Sequence, residues 1–482
     1  MDLSREPIAR REPLPTTVLA MLAVAVGALA GGMVVVAGLP FAAIFAILPA
    51  VALVMLRSIW VGLAGVLVVI YVVPFAVVPI GGPITPTLLE LALAYFLVAS
   101  VAIAALDRRV SLAIGWPEAL VALLVGITVL AFLLGLGRNY TTQTVHDFGR
   151  FVLAIATFYL VRQLIRSPSD GRLLVVLLIV GSGIAAGIAL ILYAGGPFVT
   201  LRILGRLVPY GYPAADIVRY IEDNPARAMR ATGTSVDPNA FGGMMMVGFL
   251  LAMTQTLTPS RAIPGWLAGS VTALTGAALL LTYSRGAWVG AAFGVGFVLL
   301  FRRRWLIAPL GLMAAAVITL GFGGGFVNRL WQGFTAQDPA TKLRLREYQN
   351  AWDIIRRHPW IGVGFGDAPS VNQQTGVSSV YLLIGERIGV IGLSVFLIIV
   401  AVVAWRGLRG VVGRRGPDVD VLLGLEAAFL ALLAVAFVDH YFFNPQFSHT
   451  VALFWIVAGG IIALESLAAT RPADDGVSSE SG

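Results

Sequence analysis

The feature that most restricts this chain is a succession of apolar runs at about residues 17–38, 41–56, 59–79, 87–106, 118–136, 148–165, 173–194, 239–257, 265–283, 286–301, 305–326, 380–404, 421–440 and 449–468. An α-helix rises about 1.5 Å per residue, so roughly 20 apolar residues cross a hydrocarbon core of about 30 Å. Most of the runs meet that length, and the short second and tenth are compatible with re-entrant segments. The chain of 482 residues is 58% hydrophobic and 12% charged, against about 25% charged in a typical soluble domain. No large aqueous domain fits within that average. The expected fold is therefore all-α, a polytopic transmembrane helix bundle of about 12–14 spans. Cysteine is absent, which removes disulfides, thiolate metal sites and cysteine nucleophiles.

Basic residues give the expected topology, because short cytoplasmic loops retain positive charge. With the N-terminus inside, eighteen arginines fall on the cytoplasmic side, among them Arg5, Arg57, Arg108, Arg162, Arg261, Arg302, Arg406 and Arg471; the short outer loops hold Arg138, Arg150 and Arg285. Residues 1–16 read as a cytoplasmic tail before an uncleaved signal anchor, residues 17–470 as one transmembrane domain, and residues 471–482 as a disordered cytoplasmic tail. Both termini are expected in the cytoplasm. Two long outer loops, 195–238 and 327–379, carry eleven of the remaining basic residues. No internal repeat is evident, and the polar residues of possible function are expected to cluster at one face. Chemistry, if present, is expected at the outer side.

In the first long loop, Arg202, Arg206, Arg219, Arg227 and Arg230 lie among Asp216, Glu222, Asp223 and Asp237. Asp237-Pro238-Asn239 has the pattern of a helix start, with Asp237 as cap and Pro238 at the first helical position. The exposed amides and dipole there favour an anion; a plain cap on a membrane helix is the alternative. Thr282-Tyr283-Ser284-Arg285-Gly286 places an arginine close to hydrocarbon, where it snorkels to headgroups or meets a ligand phosphate or an acid. Asp338 and Pro339 open an amphipathic helix that stops before Pro359, with Leu345, Tyr348, Trp352 and Ile355 recurring at helical spacing. It is expected to lie on the outer leaflet, its basic face holding headgroups or walling a cleft. The glycine run Ile361 to Gly366 follows no strand and is a weak nucleotide-loop signal. Ser378-Ser379-Val380-Tyr381 opens the next span, which contains Glu386-Arg387, either an internal ion pair or cavity-lining groups. Asp439-His440 and His449 bracket an aromatic turn with no metal-ligand spacing.

Taken in order, Arg230 to Gly242, Thr282 to Ala287, His358 to Gly366 and Tyr381 to Leu393 resemble the O-antigen ligase and polymerase superfamily of bacterial integral-membrane glycosyltransferases. The resemblance covers about residues 225–405. It implies a metal-independent inverting enzyme without nucleotide or other cofactor, which moves a glycan from a polyprenyl diphosphate carrier to a hydroxyl acceptor at the outer face of the inner membrane. The implied partners are the lipid-linked donor, a glycan or lipid acceptor and membrane lipids, with no nucleic acid. Arg230 and Arg285 are implied to hold the diphosphate, with Arg219 and Arg227 assisting. Asp237, Asn239, Tyr381 and His440 are the expected substrate-binding residues, and Ser378 and Glu386 are placed with the arginines as catalytic candidates. The ligase signature of a histidine, a polar residue, nine residues and Gly-x-x-Gly is matched by Ser379, Gly389 and Gly392, but its histidine position is Ser378. Guanidinium forks make diphosphate a sufficient leaving group without a strong acid. A serine is a poor base near neutral pH, so His440, His449, Glu386 and Asp237 are the candidates to accept the acceptor's proton. A transporter or flippase of lipid-linked glycans, expected to carry charge at mid-membrane, and a noncatalytic assembly scaffold are the alternatives.

Overall fold

The computed structural model describes residues 59–78, 85–106, 115–135, 140–259, 261–319, 339–366 and 377–470. The chain divides into two compact units, Met1–Gly62 and Leu63–Gly482. Of the first only residues 59–62 are described, and every contact below lies within the second. The first two apolar runs and both tails lie outside the described residues.

Thirteen helices and no named strand occur among the described residues. In chain order they are α1 (Ile59–Val72), α2 (Leu88–Leu106), α3 (Trp116–Leu134), α4 (Thr142–Leu164), α5 (Pro168–Gly205), α6 (Pro238–Leu257), α7 (Gly265–Leu281), α8 (Arg285–Arg302), α9 (Ile307–Thr319), α10 (Pro339–Arg357), α11 (Val380–Val411), α12 (Pro417–Val435) and α13 (Ser448–Thr470). The twelve apolar runs that fall on described residues are all helical, wholly or in part. Seven segments are long and apolar enough to cross a membrane: α3, α4, α5, α6, α8, α11 and the stretch Pro445–Ala469. The chain is an integral membrane protein by that measure.

Local chemistry starts these helices where expected. Asp237 Oδ1 accepts hydrogen bonds from the amides of Asn239 and Ala240, both at 2.8 Å, and Ser167 with Asp170 forms a capping box before α5. The central helices α6, α12 and α13 are buried on nearly every side, and α13 lies along α4, where Gly459 brings the backbone of α13 against Phe158. Peripheral helices keep apolar outer faces, as Leu133 on α3, Ile191 on α5 and Phe293 on α8 illustrate. Such faces suit a hydrocarbon solvent.

Two long helices break at glycines in the left-handed region. In α5 the break is Gly196 (φ 76°) followed by Pro197, so the helical stretch continues to Gly205 into what the sequence reads as loop. In α11 it is Gly389 (φ 70°). Val390 N–H donates to Pro359 O at 2.7 Å rather than to Glu386 O, and the freed carbonyls of Glu386 and Arg387 accept from the amides of Val363 and Gly364 at 2.9 and 3.0 Å. The glycine run 361–366 is thus a backbone clip on a broken helix. A Cβ at Gly389 would lie 2.2 Å from Trp360 O, and one at Gly362 2.4 Å from Glu386 O; only glycine permits this approach.

Arg302–Asp420 (2.6 Å), Arg162–Glu118 (3.0 Å), Arg172–Asp418 (3.2 Å) and Arg406–Glu465 are ion pairs at the opposite end from the start of α6, and their arginines are among those expected on the cytoplasmic side. Basic residues near helix C-termini and acids near N-termini also complement the helix dipoles. Glu426, halfway along α12, is 0% exposed with neither carboxyl oxygen hydrogen-bonded. In α10, Glu347, Ala351, Ile354 and Ile355 are buried against the bundle, whereas Leu345 and Trp352 are exposed. Its packing against α11 decides this, with Ile355 seated on Gly385 and Arg356 lying 5.2 Å over the Trp352 ring.

Candidate functional site

The loop before α6 and the turn before α8 are joined by one arginine. Arg230 Nε donates to Thr282 O at 2.7 Å and Nη2 to Asn239 Oδ1 at 2.8 Å, while Ala231 N–H donates to Leu281 O at 2.8 Å. Both segments carry a non-glycine residue at positive φ, Val236 at 60° and Tyr283 at 53°. A β-branched valine there is strained by about 1–3 kcal/mol and persists only where neighbouring contacts fix it.

Small residues then draw further elements in. A Cβ on Gly242 would lie 3.1 Å from the side chains of Ala287 and Ser284, one on Gly243 2.2 Å from Tyr441 Oη, and one on Gly286 3.1 Å from Val438. At α11, Val380 N–H reaches Ala436 O (2.9 Å) and Asp439 O (3.1 Å), and Ser379 Oγ donates to Ala436 O at 3.2 Å. The N-termini of α6, α8 and α11 therefore converge on residues 436–441. Three positive dipole ends meet here, with Arg285 opening α8 and Arg230 bonded to Asn239 at the start of α6; the first amides of α6 are already capped by Asp237.

Acidic and aromatic groups line the other side. Asp439 is buried, its Oδ1 accepts from the His440 amide at 2.9 Å, and Arg344 Nη2 stands 4.0 Å from Oδ2. Burial pushes the Asp439 carboxyl above the usual carboxylate range; His440 and Arg344 oppose this and Asp237 adds to it. Burial, with Asp439 and Asp237 nearby, likewise raises Tyr441, whose hydroxyl has no hydrogen-bond partner. His440 Nδ1, also buried without one, lies 3.8 Å from Asp439 Oδ1. Helix α10 fixes Ser378 through the backbone: its N–H donates to Glu347 Oε2 at 2.9 Å, and Tyr348 Oη lies 2.9 Å from the carbonyls of both Ser378 and Phe437, able to donate to one at a time.

Arg230, Asp237, Asn239, Arg285, Ser378 and His440 thus come to one end of the bundle. Arg219 and Arg227 pair locally, with Asp223 at 3.3 Å and Glu222 at 2.6 Å; the Arg219 carbonyl accepts the Arg230 amide. Tyr381 gives its hydroxyl proton to Leu433 O at 3.0 Å and packs its ring 4.6 Å from Phe437. Glu386 is buried beside Arg387 at 3.9 Å, about 10 Å along the helix axis from Ser379 by residue rise. His449 is buried and engages Ser235 Oγ at 3.0 Å, which removes it from the candidate bases. Sequence reading did not place Asp439, Arg344, Glu347 or Tyr441 in the site. Asp439 carried a signal, an acid adjoining a histidine at the end of an apolar run. Among the described residues, no group of three or more histidines and acids is arranged to hold a metal ion.

Residues 270–397 match the family model described as O-Antigen ligase, just over a quarter of the chain. The match takes in Thr282–Gly286, the α10 helix and the broken start of α11, and supports the resemblance to the O-antigen ligase superfamily. A solved chain described as "Structural coordination of polymerization and crosslinking by a peptidoglycan synthase complex" is similar at 19% identity over 74% of this chain and 98% of that one, with a TM-score of 0.39. A likeness at that level bears on neither the fold nor the chemistry argued above. No curated protein matches the chain.

Proposed function

We propose that this protein transfers or polymerises a polyprenyl-diphosphate-linked oligosaccharide onto a hydroxyl acceptor at the outer face of the bacterial cytoplasmic membrane, with both termini in the cytoplasm. The observation that carries the reading is the meeting of three helix N-termini, with Arg230 and Arg285 at two of them, beside buried Asp439 and half-buried His440. The arginines neutralise the diphosphate, Arg230 also holding the loop to the turn. The acceptor oxygen attacks the anomeric carbon as the bond from that carbon to the phosphate oxygen breaks, with inversion, and the diphosphate leaves with the electron pair. The acceptor's proton passes to the His440 imidazole, and Asp439 orients that ring and stabilises the imidazolium, a division of labour that makes up for Ser378 at the family's histidine position. Ser378, held from α10, lines the acceptor side.

Purified protein supplied with a synthetic lipid-linked oligosaccharide and a glycan acceptor tests this directly. Transfer by the wild type and its loss in Arg285→Ala are expected; equal turnover by both removes the assigned role. Glu426 favours a transport role for lipid-linked glycans as the second reading, and reconstituted flipping without transfer would decide for it.

A further inference from the structure

We infer that His449 is a positioning residue, which clamps the Arg230–Asp237 loop in its strained conformation through Ser235. The inference rests on the diphosphate site proposed above. Its geometry starts from a rigid lever. At the start of α13, Asn444 Oδ1 accepts from the Gln446 amide at 3.0 Å, Ser448 Oγ donates to Pro445 O at 2.7 Å, and Thr450 Oγ1 lies 2.7 Å from Tyr441 O and 2.8 Å from Phe447 O. His449 is 1% exposed and its ring sits 5.3 Å from that of Phe75 and 6.2 Å from that of Phe447, so the imidazole has one orientation.

From that fixed place Nε2 meets Ser235 Oγ at 3.0 Å, across 214 residues of sequence. Ser235 is the residue before Val236 (φ 60°, ψ −33°) and two before the Asp237 cap, and its carbonyl accepts the Asp237 amide at 2.6 Å. Val236 is therefore gripped on one side by His449 through Ser235 and on the other by the capped start of α6. Releasing either grip lets the valine relax toward an ordinary backbone conformation. Asp237, Asn239 and, through Asn239, the Arg230 fork would then shift together. A histidine that touches no substrate thus sets donor affinity rather than the rate of the bond-breaking step.

The test is a double-mutant cycle on the full-length protein with Ser235→Ala, His449→Phe and their combination, together with His449→Gln, whose amide reaches toward the same oxygen. Two readouts are taken: amide hydrogen exchange over residues 232–239 without ligand, and affinity for geranylgeranyl diphosphate. Each single change is expected to speed exchange and weaken binding by about tenfold, an effect typical of one buried hydrogen bond. The double variant should match either single one, while kcat at saturating donor holds and KM rises. His449→Gln should keep both readouts within about threefold of wild type, by the same hydrogen-bond reasoning. Additive effects, a glutamine variant as impaired as the phenylalanine one, or a fall in kcat with KM unchanged would overturn the assignment. If His449→Phe does not fold, Ser235→Ala and His449→Gln still decide through exchange. Wild-type protein that binds no diphosphate refutes the proposed function, while the exchange data alone continue to judge the clamp.

Discussion

Arg230→Lys keeps the positive charge and removes the fork. Two nitrogens of the wild-type guanidinium serve two acceptors that lie on different segments, Thr282 O at 2.7 Å and Asn239 Oδ1 at 2.8 Å. A single ammonium on a flexible stem cannot hold both in that geometry, so one bond to a charged donor is lost, worth about 1.5–3 kcal/mol when buried. Arg230 is half-buried and water can replace part of the loss, which favours the lower figure. At 1.36 kcal/mol per tenfold, kcat/KM should fall by roughly tenfold. The assay is transfer from a lipid-linked oligosaccharide by purified protein, with thermal unfolding followed in the same detergent. Asn239→Ala removes the Nη2 acceptor alone and should give a similar loss. Arg230→Lys turning over within twofold of wild type would refute the reasoning that joining loop to turn matters beyond the charge itself.

Other outcomes follow from single features. Gly389→Ala must place a Cβ 2.2 Å from Trp360 O at φ 70°, and thermal unfolding should report a loss above about 2 kcal/mol; an unchanged midpoint would dismiss the clip at the break of α11. Asp439→Asn should abolish most transfer yet stabilise the fold. Because burial raises the folded carboxyl's pKa, the wild type loses stability as pH rises through that raised value; the variant's advantage should be full above it and vanish below the ordinary carboxylate value of about 3.9. Denaturation across pH checks this, and a constant difference would contradict it. Glu426→Leu removes a buried carboxyl without a hydrogen-bond partner and should raise stability by about 1–3 kcal/mol with transfer intact; a lost activity would move Glu426 into the mechanism. Because the chain lacks cysteine, a single cysteine at Asp216 should be labelled by an impermeant reagent from outside intact spheroplasts, and one at Arg414 only after permeabilisation.

What could be read in advance depended on how local the cause was. Apolar runs dictate spanning helices because the bilayer leaves no other way to satisfy the backbone, and Asp237-Pro238 starts α6 through bonds within three residues. The amphipathic stretch became α10 over nearly the expected range, but its inward face was set by α11 and by Glu347 holding Ser378, which periodicity does not encode. The glycine run 361–366 was opaque for the same reason, since its amides serve carbonyls freed by a break more than twenty residues later. At the site, Arg285 stood out as a charge near hydrocarbon, and Arg230 through the segment that resembles the superfamily. Asp439 did not, because its significance lies in who surrounds it: Arg344, His440 and Asp237, from three separate segments.

The claim that everything else depends on is that this end of the bundle recognises two linked phosphates through Arg285 and its neighbours. Equilibrium binding of geranylgeranyl diphosphate and geranylgeranyl monophosphate to the purified protein measures it without requiring turnover. The wild type should prefer the diphosphate by about tenfold or more, a charge-assisted pair's worth, and Arg285→Ala should lose that preference. Equal affinities for the two lipids in the wild type, or an undiminished preference in Arg285→Ala, would contradict it.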